Sequence, residues 1–502
     1  MTGKRQRATV GELPTPTDDA SVVPTVLTWL VWTLWVVAVG VLAAGVWTGE
    51  TVARIDVSAG TPFLAVDGLT LVMWVAVTFF SGVVHSYARR YVAGSRTDDR
   101  FFGLVFAFTL VVAVLVAADH FLPFVGAWLL MGLVMSRLIA AVDGWPQASA
   151  AGSFARRYFL ASSALVGVAV GTVWWATGAV AVSELPSTLG AAPSPVVSVV
   201  AATLLLAAAI QSALLPFHGW LLSSMTAPTP ASALMHAGFV NAGGVLLVRF
   251  APVVTAEAWV MLAVVVVGTV SALGGKFLKT VQTDVKGRLG CSTVGQMGFM
   301  ILQAGLGFFG AAITHLVLHG FYKAYQFLAS GSRVTHEHPS EPADRDRSTG
   351  ALGVVVALGT ALAGGALFAA LTGKGTEVDA GLLLTGLVVL TVLHAVREAV
   401  RSASLPAAVR YGAVPLVALP AIAVYAATYR VVEGLLDGLP AVGQPAELTA
   451  AHAIVAGAFL ATYLAVETEV YQRSERLYVL LSNATRPASD TVLTNTEEYD
   501  EY

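Results

Sequence analysis

The sequence predicts an all-α integral membrane protein of about fourteen transmembrane helices. Three observations carry the prediction. Of 502 residues, 56% are hydrophobic and only 12% are charged, whereas soluble globular domains carry about 25% charged residues. Apolar runs of about 18 residues or more, each long enough to cross a bilayer core, recur along the whole chain. Basic residues in the loops between these runs alternate sides with few conflicts, as the positive-inside rule requires.

In chain order, the predicted spans are 26–46, 63–84, 101–118, 121–142, 158–182, 196–215, 228–250, 257–278, 289–306, 309–330, 350–372, 380–400, 407–436 and 449–471. Basic residues fall at Lys4, Arg5 and Arg7, then Arg89, Arg90, Arg96 and Arg100, then Arg156 and Arg157. Lys286 and Arg288, Arg333, Arg345 and Arg347, and Arg401 and Arg410 continue the alternation. Loops such as "SELPSTLGAAPSP" and "DGLPAVGQPAEL" hold no Lys or Arg. Both termini are therefore expected in the cytoplasm, with the chain multi-pass in the cell's inner (plasma) membrane. The start, "MTGKRQRATVGELPTPTDD", reads as a cytoplasmic tail rather than a cleaved signal peptide, because the apolar run after it is too long and lacks a small-residue cleavage site. The chain thus divides into a tail (1–25), a polytopic domain (26–472) that includes a hydrophilic loop (331–349), and an acidic tail (485–502).

Several function classes are excluded. The net charge of −3 does not point to nucleic acid. A single cysteine, Cys291, excludes an intrachain disulfide framework, and no Cys/His cluster suggests a metal centre. His336 and His338 share the hydrophilic loop without another ligand at metal-site spacing. No nucleotide-binding glycine loop or Ser–His–Asp arrangement stands out.

Chemistry is expected where ionisable residues interrupt apolar runs, since such residues are costly in a bilayer and face protein interiors or water paths. His236 lies in "SALMHAGF"; His315, His319 and Lys323 lie in "THLVLHGFYKAYQF". A spacing of four puts these last three on one helical stripe, about 6 Å apart along the axis. A neutral histidine accepts a proton on one nitrogen and donates from the other, and a lysine removed from water can exchange its proton too. The stripe therefore suits a proton relay. A lone histidine such as His452 fits a packed interior residue. His394, Arg397, Glu398 and Arg401 cluster near a helix end, where pairing and transport roles both stay open. In "TAPTPASALMHAGFVNAGG", Pro228 and Pro230 are expected to break or kink the span, and Gly243 and Gly244 to admit a close neighbour. A broken helix would present His236 to an internal polar path, with Asn241 adding a hydrogen bond there.

These stretches also carry a family resemblance. "LLPFHGWLLSSMTAPTPASALMHAG", "TVQTDVKGRLGCSTVGQMGFM" and "THLVLHGFYKAYQFLASGS" resemble the proton-conducting subunits of complex I and of Mrp-type antiporters. "VDGLTLVMWVAVTFFSGVVHSYARRYV", with Asp67, His85 and Tyr91, is similar to their early span. The resemblance covers roughly residues 60–335 and implies two inverted five-helix repeats with broken helices and a line of charged groups at mid-membrane. It places His236, His315, His319 and Lys323 in the central relay, and Asp284 and Lys286 in the "QTDIK" loop. Two departures follow. No carboxylate lies between Asp119 and Asp143, so that Leu130 stands where complex I subunits carry Glu, and Gln211 stands where they carry Lys. Lys276 and Lys279 either take over from that lysine or serve as positive-inside anchors.

Within the superfamily, the tracts "SALMHAGFVNAGGVLLVRFAP" and "SRLIAAVDGWPQASAAGSFARRYFLASSA" are most similar to the DabB branch, membrane subunits of two-component inorganic-carbon (CO2/bicarbonate) pumps. That resemblance implies a chain that passes H+ or Na+ inward and performs no catalysis itself. It also implies a DabA-like cytoplasmic partner, zinc-containing and similar to a β-carbonic anhydrase, so that zinc would sit on the partner and this chain would hold no cofactor. Two other readings stay open: a subunit of a complex I-like or Mrp-type antiporter assembly, and a membrane scaffold that only anchors a catalytic partner.

Overall fold

The computed structural model describes residues 21–49, 53–58, 61–93, 98–333, 350–401, 405–443, 445–468 and 473–492. Most of the expected N-terminal tail, most of the loop 331–349 with His336 and His338, and the end of the acidic tail lie outside the described residues. Helix α1 (Val23–Thr48) leads into an antiparallel hairpin, β1 (Ala53–Ser58) and β2 (Thr61–Val66). Then follow α2 (Gly68–Tyr91), α3 (Asp98–Ala117), α4 (Phe121–Ile139), α5 (Pro146–Thr177), the short α6 (Leu185–Thr188), α7 (Ser194–Gln211) and the short α8 (Gly219–Ser223). Next come α9 (Thr229–Ala237), α10 (Ala242–Arg249), the short α11 (Ala251–Val254), α12 (Ala258–Thr280), α13 (Val285–Gly305) and α14 (Phe309–Leu328). The chain continues through α15 (Ala351–Thr372), α16 (Ala380–Arg401), α17 (Val414–Leu436), α18 (Ala450–Glu467) and α19 (Glu475–Ala484).

Among the described residues, 12 helical segments are long and apolar enough to cross a membrane, with α9 and α10 forming one of them. Helices α13 and α14, of 21 and 20 residues, are long enough as well, but they carry the polar residues of the predicted path. Apolar length alone therefore does not reach the count of fourteen. Helix α5 begins at Pro146 rather than near 158, because "QASAAGSFARRYF" is an alanine-rich helix former although it is not apolar. The hairpin is a small departure from the all-helical expectation. Pro62 removes a backbone donor there, and β2 pairs with the connection between α3 and α4 through a bridge from Leu64 to Ala118 and bonds from Asp119 N and His120 N to Phe63 O.

Burial orders the helices from periphery to centre. In the α9–α10 segment 94% of the most apolar stretch is buried, against 17% for α1 and 11% for α18. A segment so enclosed can carry polar groups, whereas one facing lipid cannot. Two devices hold the centre. Asp67 caps α2 by accepting from Thr70 N at 2.9 Å, and it forms a buried ion pair with Arg249 at the end of α10. Arg249 also donates to Thr70 Oγ1 at 2.7 Å and to the Val116 carbonyl of α3. Helices α12 and α13 instead meet through glycine. A Cβ on Gly268 would lie 2.8 Å from Gly298 O, and one on Gly298 would lie 2.7 Å from Gly268 O. Only residues without side chains allow backbones so near. A Gly268→Val variant is expected to push α12 from α13 at a cost of about 1–3 kcal/mol or more. The check is the thermal unfolding midpoint in detergent, where Gly268→Ala should show a smaller drop of the same sign.

Candidate ion-translocation site

Pro228 and Pro230 do not break the span. Pro228 caps α9 and Pro230 sits in its first turn, where the missing N–H has no intrahelical partner to lose. The interruption lies farther on, at a 3-10 turn over Phe239–Asn241 between α9 and α10. Asn241 Nδ2 donates to the Ala237 carbonyl at 2.7 Å, and Ser212 Oγ donates to the Val240 carbonyl at 2.7 Å. Gly243 and Gly244 admit close neighbours as expected: a Cβ would fall 2.7 Å from Ala208 O on α7 and 2.7 Å from Met300 Sδ on α13, respectively.

A second break, which the hydropathy profile did not reveal, separates α7 from α8. Ala213 adopts a left-handed φ of 53°, a conformation strained for alanine. Its neighbours hold it there: Leu214 N donates back to Ala209 O at 2.9 Å, and Leu215 N donates to Ser271 Oγ of α12 at 3.1 Å. The two interruptions touch through Ser212 and Val240, so a carbonyl at the α9–α10 break is satisfied by a hydroxyl at the α7–α8 break. Gln211 is buried at this break, with its Nε2 unpartnered.

Against this frame α9, α13 and α14 place three of the predicted groups together. His236, in the last turn of α9, is buried and stacks on Phe327 with ring centres 4.3 Å apart. Its Nδ1 lies 2.9 Å from Thr293 Oγ1. Thr293 Oγ1 donates to Leu289 O at 3.0 Å, and the same carbonyl accepts from Lys323 Nζ at 2.8 Å. With the Thr293 proton spent on Leu289 O, His236 carries its proton on Nδ1 and leaves Nε2 bare, an acceptor without a protein partner. His315 and His319 stack with ring centres 5.8 Å apart, and both leave a buried Nε2 unpartnered. His319 and Lys323 are buried, and Lys323 lies within electrostatic reach of His236 and His319. The i, i+4, i+8 stripe on α14 is thus one run of proton-holding groups, His319 and Lys323 buried and His315 half-buried with its Nε2 enclosed.

The remaining predicted residues fall elsewhere. Asp284 is exposed and caps α13 by accepting from Gly287 N at 2.6 Å, so it lies outside the buried line. Lys286 donates to the Ala227 carbonyl at 2.9 Å and pins the start of α9. Leu130 is 50% exposed and faces away from the bundle, and α4 holds no carboxylate. Lys279, in the last turn of α12, is half-buried, within electrostatic reach of Lys323 and Lys276. Lys276 Nζ donates to His394 Nε2 at 2.7 Å. Beyond it stands a residue the sequence reading missed: Glu467, the last residue of α18, 3.2 Å from His394 Nδ1. Its side chain is 6% exposed and also pairs with Arg397 at 3.2 Å and Arg401 at 3.1 Å. The available signal was a carboxylate closing the last apolar run, in "ATYLAVETE". Thr293 was missed as well, because a hydroxyl in an otherwise apolar helix normally bonds its own backbone.

The family described as NADH:quinone oxidoreductase/Mrp antiporter, TM, matches residues 118–356, and that described as NADH-Ubiquinone oxidoreductase (complex I), chain 5 N-terminus, matches residues 56–102. The chain is 38% identical over 317 residues to the probable inorganic carbon transporter subunit DabB1 of Halothiobacillus neapolitanus, covering 60% of this chain and 56% of that protein. It is 34% identical over 275 residues to DabB2 of the same organism, covering 54% and 50%. The chain thus spans about half the length of the curated relatives it matches. A chain of the Mrp complex from Dietzia sp. DQ12-45-1b superposes with a TM-score of 0.57 at 23% identity, covering 95% of this chain and 52% of that one. At that identity the likeness concerns the fold alone.

Proposed function

Because the chain belongs to the NADH:quinone oxidoreductase/Mrp antiporter superfamily, we propose that it is the cation-conducting membrane subunit of an inorganic-carbon transporter. One observation carries the conduction: the stripe of Lys323, His319 and His315 on α14, set against His236, with Lys323 and Thr293 both donating to Leu289 O and Thr293 meeting His236 at the most buried part of the bundle. In this reading α14 supplies the path. A proton taken by Lys323 passes along the His319–His315 stack, each imidazole accepting on one nitrogen and releasing from the other. His236, joined to Lys323 through Thr293 and Leu289 O, lines the facing wall.

The basic loops support a chain embedded in the plasma membrane with both termini cytoplasmic. A cation moving inward down 100 mV releases about 2.3 kcal/mol per charge. A DabA-like, zinc-containing partner would use that energy to favour CO2 hydration over its reversal, so that catalysis and metal both lie on the partner. The names of the relatives support this reading over an antiporter assembly, as do Gln211 and the carboxylate-free α4, which lack an input pair for redox-driven pumping.

Tagged purification in mild detergent, with mass spectrometry of what copurifies, tests the assignment. A large zinc-containing soluble protein is expected as the main partner; quinone-linked or several antiporter subunits would replace this reading with a complex I-like or Mrp-type one. In cells that depend on the transporter, His319→Ala at normal expression is expected to abolish bicarbonate-supported growth. Undiminished growth of His315→Ala, His319→Ala and Lys323→Ala cells would mean that the chain is a scaffold.

A further inference from the structure

We propose that Lys276, His394 and Glu467 form a second proton-transfer site, which connects the buried Lys323 to the face where α12, α16 and α18 end. It stands in for the input pair that the first half of the chain lacks. The inference rests on the conduction reading above and names one mouth of that path.

Three observations carry it. First, the groups are hydrogen-bonded in sequence: Lys276 Nζ to His394 Nε2 at 2.7 Å, and His394 Nδ1 to Glu467 Oε1 at 3.2 Å. An amine, an imidazole and a carboxylate so ordered can each hold a proton, and the ring joins the other two through its separate nitrogens. Second, Glu467 is the last residue of α18, while Lys276 stands about one turn and His394 about two turns before the ends of α12 and α16, so the line of bonds runs toward the helix ends that carry Arg401; Lys279 is within electrostatic reach of both Lys276 and Lys323. The site is therefore placed between the central amine and the surface. Third, the Glu467 side chain is only 6% exposed, with Arg397 and Arg401 paired to it. Glu398, on the same helix as His394, stays 80% exposed, whereas Glu467 is held out of water against the ring.

The step balances simply. Lys276 ammonium gives its proton to His394 Nε2, while Nδ1–H passes its proton to the Glu467 carboxylate. Lys276 becomes the amine, the ring stays neutral in its other tautomer, and Glu467 becomes the acid. Release of that proton to water and return of the ring to its first tautomer complete one transfer. Transfer in the other direction uses the same atoms in reverse. Tyr463, whose hydroxyl lies 3.4 Å from Arg397, closes the α18 side of the cluster.

The test reconstitutes the tagged chain, with the partner it retains, into vesicles enclosing a pH-sensitive dye, and follows proton entry under an imposed potential. Glu467→Gln and His394→Gly, each checked for folding by gel filtration, are expected to slow proton flux by about ten-fold or more, with added imidazole restoring flux to His394→Gly. Imidazole rescue would not arise from a purely structural role. Where Glu467→Gln does not fold, Lys276→Met decides with the same expected loss. Folded variants that conduct within two-fold of the parent, or a parent flux carried by Na+ and indifferent to pH, would overturn the proposal. The control is Lys323→Met. Parent vesicles without any cation flux remove the conduction reading itself, whereas flux lost only in Lys323→Met removes this inference alone.

Discussion

Replacing Lys323 by methionine is expected to lower cation flux by about 100-fold or more while leaving the protein folded. The ammonium donates to Leu289 O at 2.8 Å rather than to a carboxylate, so its removal strands no buried counter-charge. Leu289 O keeps its bond from Thr293 at 3.0 Å, so no carbonyl is orphaned either. Methionine has nearly the length of lysine and suits an enclosed apolar site, and exchanging a buried charge for an apolar chain is commonly neutral or stabilising. Flux in reconstituted vesicles and the unfolding midpoint in detergent, measured on one preparation, separate the two effects. An unchanged flux would remove Lys323 from the path; a large fall in midpoint would recast it as a structural residue.

Arg249→Met is expected to destabilise by about 3–5 kcal/mol, the usual cost of leaving one partner of a buried ion pair alone. Asp67 would remain buried at the cap of α2 and lose the guanidinium that also ties Thr70 and the Val116 carbonyl. The double variant Asp67→Asn with Arg249→Met is expected to recover much of that loss, since asparagine still caps Thr70 N and leaves no lone charge. The unfolding midpoints of the single and double variants are the measurement. A double variant no more stable than Arg249→Met alone would show that the contacts of Arg249 with Thr70 and Val116, rather than its charge pairing, hold α2, α3 and α10 together.

Both expectations, like the proposed mouth at Glu467, rest on contacts between residues far apart in the chain. Asp67 and Arg249 are 182 positions apart, and Lys276 and His394 are 118 apart. The helices that carry them were legible one by one. A bilayer demands about 20 apolar residues per span with every backbone group satisfied inside the segment. This is why α15 (Ala351–Thr372) and α16 (Ala380–Arg401) fall within a residue or two of the predicted 350–372 and 380–400. The relay stripe was legible for the same kind of reason: the helical period alone puts His315, His319 and Lys323 on one face.

The breaks were not legible in that way. "TAPTPAS" drew attention by its prolines, yet prolines in a first turn start a helix, and the interruption fell at Phe239–Asn241, where only Gly238 marks it. In "QSALLPFHGW" the strained Ala213 gave no signal, because what permits it is a serine on another helix, Ser271, and a carbonyl freed by a turn in a third segment. Asp284 shows the reverse case. Its motif placed it among the path residues, and the structure leaves it exposed as a helix cap.

The sequence by itself determined the membrane-spanning helical class, the position of most spans and the stripe of proton-holding groups on α14. Each of these follows from hydrophobic length or helical period, which act within one segment. The tertiary structure alone decided that His236 meets Thr293 beside Lys323, that Ser212 of one interrupted span bonds the Val240 carbonyl of the other, and that Glu467 closes a line from Lys276. Those depend on which helices pack together across connections of tens to hundreds of residues, and a buried polar group takes whichever partner that packing brings within about 3 Å.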